Sequence, residues 1–280
     1  ASCFFYMFFK PEYILILGGT IVIDYIAGIL IEKSEGKSSK AWLILSLIAN
    51  IGELAVFKYY NFFIENIHEG FLLFGKPISL PVLQMALPIG LSFHTFQAMS
   101  YTIEVYRRNQ PAERNFVVYA LYVMFYPQLV AGPIERPQNV LPQLKEFRAY
   151  NWDNVKEGLS RMLWGFFKKV VIADRLAMMV ERTYVHTHES SSLALFMGAA
   201  FYSFQIYCDF SGYSDIALGA AKVMNIKLME NFNQPYLSRS ISEFWSRWHI
   251  SLSSWFRDYV YIPLGGNRKG EWRRKMNVAI

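Results

Sequence analysis

YILILGGTIVIDYIAGILI, residues 13–31, decides the fold class: 19 residues in which Asp24 is the only charge. A helix that crosses a membrane needs about 20 mostly apolar residues. Similar runs cover 41–64, with Glu53 and Lys58 inside it, and 80–105, with Pro88, His94 and Gln97. A shorter run covers 116–131, a run interrupted by Arg161 and Lys168/Lys169 covers 155–180, and a long one with Asp209 and Asp215 covers 193–224. Strand signals are lacking, and only helices or closed barrels can satisfy their backbone in lipid. The expected class is all-α: a polytopic transmembrane helical bundle, one membrane-embedded domain over 1–280.

Composition agrees. The chain is 53% hydrophobic, 17% aromatic and 18% charged, against about 25% charged residues in soluble domains. Its net charge of +6 sits in short clusters between apolar runs: Lys33/Lys37/Lys40, Arg107/Arg108/Arg114, Lys168/Lys169 and Arg268/Lys269/Arg273/Arg274/Lys275. That is the pattern of loops held on the cytoplasmic side, and it argues against a nucleic-acid partner, which would need a basic face on a soluble fold. Segments 32–40 and 106–115 read as cytoplasmic, 65–79 and 183–192 as external. The Pro-rich region 132–157 reads as an interfacial loop with a short helix. Cys3 and Cys208 read as buried free thiols, far apart and in no metal spacing. His186 and His188 lack further ligands nearby, so no metal is expected. Both ends resemble cuts through a longer protein, and no signal peptide is visible.

Ionisable groups at membrane depth face a bundle interior or a wet cavity. Asp24 and Glu53 are expected to lie near span ends or to be paired within the bundle, and His94 to be a satisfied buried histidine. Two stretches concentrate polar chemistry. YSFQIYCDFSGYSDIALG (202–219) places Gln205, Asp209, Ser211, Tyr213, Ser214 and Asp215 on one helix. Such a stripe can glue helices together or line a substrate path, and Gly212 lets a backbone or ligand approach closely. SISEFWSRWHISLSSWFRDYVYIPLGG (240–266) reads as an interfacial or re-entrant helix over 240–261, broken by Pro263 and Gly265-Gly266. His249 there has Trp245 four residues before it and Ser253 four after. An imidazole is the side chain best suited to take a proton near neutral pH. Trp248, Trp255 and Phe256 would anchor the helix, while Arg257 and Asp258 would supply donors and a charge pair.

Three strings carry a family resemblance: FYPQLVAGPIERPQNVLPQL (125–144), FQIYCDFSGYSDIALG (204–219) and ENFNQPYLSRSISEFWSRWHISLSSWFRDYVYIPLGGNRKG (230–270). KYYNFF (58–63), LPIGLSFHTFQAMSY (87–101) and FFKKVVIADRLA (166–177) fit the same pattern. In this order they resemble the membrane-bound O-acyltransferase family, and more narrowly its alginate O-acetyltransferase branch. The resemblance implies a helical bundle around a central funnel and an acyl donor reached from the cytoplasm, such as acetyl-CoA or an acyl carrier protein. It also implies no bound cofactor, a polysaccharide acceptor outside, and periplasmic or extracellular acetylation partner proteins. The setting would be the bacterial inner membrane.

In that family one recurring histidine lies in an RWH motif, matched here by His249. The other, in a Trp-His-Gly motif and usually favoured as the catalytic base, would follow beyond Ile280, so the resemblance gives His249 the role of contacting substrate or supporting that base. Substrate-channel or oxyanion candidates are then Trp245, Trp248, Ser253, Arg257, Asp258, Gln205, Asp209, Ser211, Tyr213 and Asp215. Within the enzyme reading, teichoic-acid D-alanyl transfer is the nearest alternative. A membrane scaffold for an envelope-polymer complex and a transporter are the non-enzymatic ones.

Overall fold

The computed structural model describes residues 1–8, 10–76, 81–82, 88, 90–130, 132–268 and 270–279. The described residues form helices, with one isolated β-bridge, Phe232–Trp248, and no strand. Two compact units divide the chain: 1–130 with 136–141, and 131–135 with 142–280.

The first unit is built on α1 (Ser2–Met7), α2 (Tyr13–Lys33), α3 (Gly36–Leu73), α4 (Leu91–Tyr106) and α5 (Phe116–Val123). Its outward faces are more apolar than those of a soluble domain, and its interior holds several polar groups beside an apolar core. Helix α3 exposes Ile44, Leu45, Ile48, Ile51 and Phe62 while burying Ser39, Ser46 and Asn50. Helix α2 exposes Leu15, Val22, Ile23 and Ile26 and buries Thr20 and Asp24. Apolar side chains outward and hydrogen-bonding groups inward is the arrangement lipid selects. Among the described residues, three helices are long and apolar enough to cross a membrane: α2, α3 and α9 (Ser192–Val223).

The buried polar groups of this unit largely satisfy one another. The Asp24 carboxylate accepts from Ser46 Oγ at 2.6 Å and from Asn50 Nδ2 at 2.8 and 3.0 Å. Glu53 accepts from Thr20 Oγ1 at 2.6 Å. Both acids are thus paired within the bundle, the second of the two expected arrangements. His94 is fully buried, but neither ring nitrogen has a hydrogen-bond partner among the described residues. Its expected satisfaction is therefore corrected: the ring instead meets Tyr6 edge-on at 6.4 Å.

Loop 107–115 folds back on the end of α2. Arg108 donates to the carbonyls of Glu32 and Ser34 at 2.8 and 2.7 Å, Tyr25 Oη donates to Arg114 O at 2.6 Å, and Arg114 pairs with Glu32. Two of the basic segments read as cytoplasmic therefore lie at one end of the unit.

Several boundaries differ from those expected. Helix α3 extends through Gly36–Lys40 and on to Leu73, 38 residues in all, so most of segments 32–40 and 65–79 is helix rather than loop. Run 116–131 is not a span, because α5 ends at Val123 shortly before Pro127 and its conformationally restricted predecessor. The start of run 80–105 falls largely outside the described residues, and its helix begins at Leu91. Cys3 is exposed, since it lies on the short first helix, whereas Cys208 is buried.

Helix α6 (Pro137–Lys145) is divided between the two units at 141/142. The second unit centres on α7 (Trp152–Phe166), α8 (Asp174–Val185) and α9, then α10 (Ile241–Arg247), α11 (Ile250–Phe256) and α12 (Gly270–Ala279). Asn151 caps α7, its side chain accepting from Asp153 N at 2.9 Å. The interruption seen in run 155–180 is a π-helical turn, Phe167–Ala173, joining α7 to α8.

Helices α7 and α9 run antiparallel in backbone contact. A Cβ at Gly158 would lie 2.6 Å from Gly219 O, and one at Gly165 would lie 2.6 Å from Gly212 O. Two glycines seven residues apart on each helix thus meet in register, the small-residue packing that suits helices in lipid. Gly212 admits a backbone, not a ligand.

Gly212→Ala would place its methyl 2.8 Å from Gly165 O and should cost about 1–3 kcal/mol of stability. Gly52→Ala, where the added carbon meets nothing within 4 Å, should not destabilise. Thermal unfolding of the purified protein in detergent compares them; equal losses at the two sites would refute the packing account.

Candidate active site

Ionic rungs follow the glycine contacts along the same seam. Arg161 on α7 and Lys168 on the π-helical turn are seven residues apart and both reach Asp215 on α9, Arg161 Nε at 2.9 Å. Arg161 also grips Glu230 with both terminal nitrogens. Lys168 Nζ contacts Ser211 Oγ at 3.2 Å. Lys169 pairs with Asp209 at 2.6 Å and with Asp174 at 2.8 Å. The widened turn brings two consecutive lysines to bear on α9, a use of π-helix common at functional sites.

The polar stripe on α9 is therefore largely glue: Asp209, Ser211 and Asp215 are held by cations from the neighbouring helix. Gln205 is half-buried with Oε1 unbonded among the described residues, and Tyr213 is half-buried. Beside the rungs lies a polar cavity of about 70 Å³ lined by Arg161, Lys168, Ser211, Asp215, Glu230 and Asn231, among others.

The stretch 240–261 is not one helix. Ser240 caps α10 by accepting from Glu243 N at 3.1 Å, and Glu243 pairs with Arg247 at 2.6 Å one turn later. The helix then stops. Trp248 is extended, and His249 adopts the left-handed conformation, φ 44° and ψ 55°. Helix α11 starts at Ile250 and passes into a second π-helical turn, Arg257–Tyr261. Because the break falls at His249, its expected helical neighbours Trp245 and Ser253 do not share a continuous face with it.

His249 is 8% exposed and meets Phe210 of α9 edge to face, centroids 4.7 Å apart. Phe210 packs on Phe232 at 5.0 Å, and Phe232 on Trp248 at 5.1 Å. Burial in this aromatic wall pushes the imidazole pKa down to about 4, so the ring is unprotonated near neutral pH and a weaker base than a free histidine.

The remaining expected residues lie elsewhere in the unit. Trp245, Ser253 and Arg257 line a groove of about 280 Å³. Ser253 Oγ donates to Trp248 O at 3.2 Å, and Arg257 Nε donates to Asp258 at 2.8 Å with its side chain mostly exposed. Arg161, Lys168, Glu230 and Asn231 were not singled out from sequence. The seven-residue spacing of Arg161 and Lys168 against the acids of α9 is the signal that could have found the first two.

Residues 92–280 match the family model of the membrane-bound O-acyltransferases, and the chain belongs to that family. It is 41% identical, over all of its length, to 54% of the probable alginate O-acetylase AlgI of Pseudomonas aeruginosa. It is 40% identical, over 97% of its length, to 56% of a peptidoglycan O-acetyltransferase of Helicobacter pylori. A teichoic acid D-alanyltransferase of Bacillus subtilis is 32% identical over 62% of the chain and 45% of that protein. The chain thus spans about half the length of the curated relatives it matches.

Asp215→Asn would leave Arg161 and Lys168 facing each other across a neutral amide. A loss of about 3 kcal/mol is expected in urea unfolding, and the double variant Asp215→Asn, Lys168→Met should recover part of it. No recovery would mean the two charges do not interact.

Proposed function

We propose that this chain is the membrane-embedded part of an O-acyltransferase that moves an acyl group, most simply acetyl, from a cytoplasmic thioester donor to a hydroxyl of an extracytoplasmic polysaccharide. The observation that carries the reading is His249: a buried imidazole set on a left-handed turn between two short helices.

In the reaction, His249 or a histidine it supports takes the proton of the acceptor hydroxyl. The oxygen attacks the thioester carbonyl, a C–O bond forms, the C–S bond breaks, and the thiolate leaves and is protonated. General base catalysis of this kind contributes about 10²–10⁴-fold. Donors facing the developing oxyanion would add to it.

Acetyl-CoA or an acyl carrier protein would supply the donor thiol. Membrane lipid surrounds the helices, and acetylation partner proteins outside the inner membrane would complete delivery to the polymer. Identity to the alginate and peptidoglycan O-acetyltransferases over nearly the whole chain favours acetyl over D-alanyl, whose transferase matches 62% of it.

His249→Ala in the full-length protein, expressed in its own membrane, should lower O-acetyl esters on the polymer by about 10²–10⁴-fold, measured by proton NMR of isolated polysaccharide. With the imidazole pKa near 4, this group stays in its proton-accepting form from pH 7 down to pH ~5. The transfer rate should not fall over that window through His249. Normal acetylation by the alanine variant would defeat the reading.

A further inference from the structure

The backbone around His249 is held by a segment distant in sequence. Residues 231–233 lie antiparallel to 247–251. Asn233 N donates to Arg247 O at 2.9 Å, Phe232 bridges Trp248, and Ile250 N donates to Asn231 O at 3.0 Å. These contacts bracket the one residue of the stretch with positive φ. A non-glycine residue keeps such a backbone only where its surroundings over-determine it.

Asn231 is the centre of the bracket. It is 0% exposed. Beyond its main-chain bond to Ile250, its Oδ1 accepts from Ser251 Oγ at 2.6 Å and from Ser251 N at 3.3 Å. Its Nδ2 faces Ser214 Oγ on α9 at 3.4 Å. Helix α11 has no side-chain cap of its own, so Asn231 supplies one from outside the helix. One side chain therefore connects α9, which carries Phe210, to the first turn of α11, which begins immediately after His249.

We propose that Asn231 is a positioning residue for His249: its amide and carbonyl lock the left-handed turn that seats the imidazole against Phe210 and keeps water from it. The proposal rests on the first of the two roles given above, in which His249 itself takes the proton. Removing the amide leaves His249 in place chemically but frees the turn, so the ring gains water and loses aim. Misplacement of about 1 Å at a reacting group costs on the order of 100-fold.

The test uses the full-length protein in membrane vesicles, with acetyl transfer measured per folded molecule. Asn231→Ala should lower kcat about 10- to 100-fold with the donor KM unchanged. The acid limb of the pH–rate profile should move up from near 4 towards the ordinary histidine value. Asn231→Asp, which keeps both acceptor bonds to Ser251, should restore most of kcat. A purely structural role would reduce the amount of folded protein without moving the acid limb.

If Asn231→Ala does not insert, Ser251→Ala carries the test, because it removes only the 2.6 Å bond; the same upward shift of the limb is expected. Wild-type kcat and acid limb in whichever of these variants fold, alongside an inactive His249→Ala, would overturn the proposal and leave the functional reading standing. An active His249→Ala would overturn the reading itself.

Discussion

A polar group surrounded by hydrocarbon has no solvent to fall back on, and this constraint organises the molecule. Asp24 is met by Ser46 and Asn50, Glu53 by Thr20, and Asp215 by Arg161 and Lys168. Each partner comes from another helix or turn, so each buried polar group also fixes how two elements sit against one another. Apolar burial contributes less to pairing here than in water, because lipid tails compete equally for the same side chains.

The seam between α7 and α9 shows how close packing and charge cooperate. Backbone contact at Gly158/Gly219 and Gly165/Gly212 brings the helices near enough for Arg161 to span the gap while gripping two acids at once. Larger residues at those glycines would hold the helices apart and leave the charges unpaired in a low-dielectric setting, where that is most costly. The same helix α9 that accepts the rungs presents Phe210 to His249. The rungs therefore determine where one wall of the site stands.

Spans 13–31 and 193–224 were legible almost to the residue, because uninterrupted apolar runs have one physical outcome in lipid. Helix α3 was under-read: charges at Lys37 and Lys40 and polar residues after Ile64 signalled loops, yet a helix started in lipid simply continues past its edge. The break at His249 was illegible. No glycine or proline marks it, and the contacts that impose it come from Asn231–Asn233, which is tertiary information. The histidine itself was found from its motif, whereas the residues that hold it in place were not. For the same reason Arg161 and Lys168 read as interruptions of a span rather than as partners of Asp215.

Helix α3 has a consequence of scale. Its 38 residues rise about 57 Å, nearly twice the ~30 Å thickness of the hydrocarbon layer. Standing upright it would reach well beyond the headgroups; lying within the layer it would need a steep slant. Either way, α3 is too long to cross the hydrocarbon upright and end inside it, and tilt or protrusion must absorb the difference.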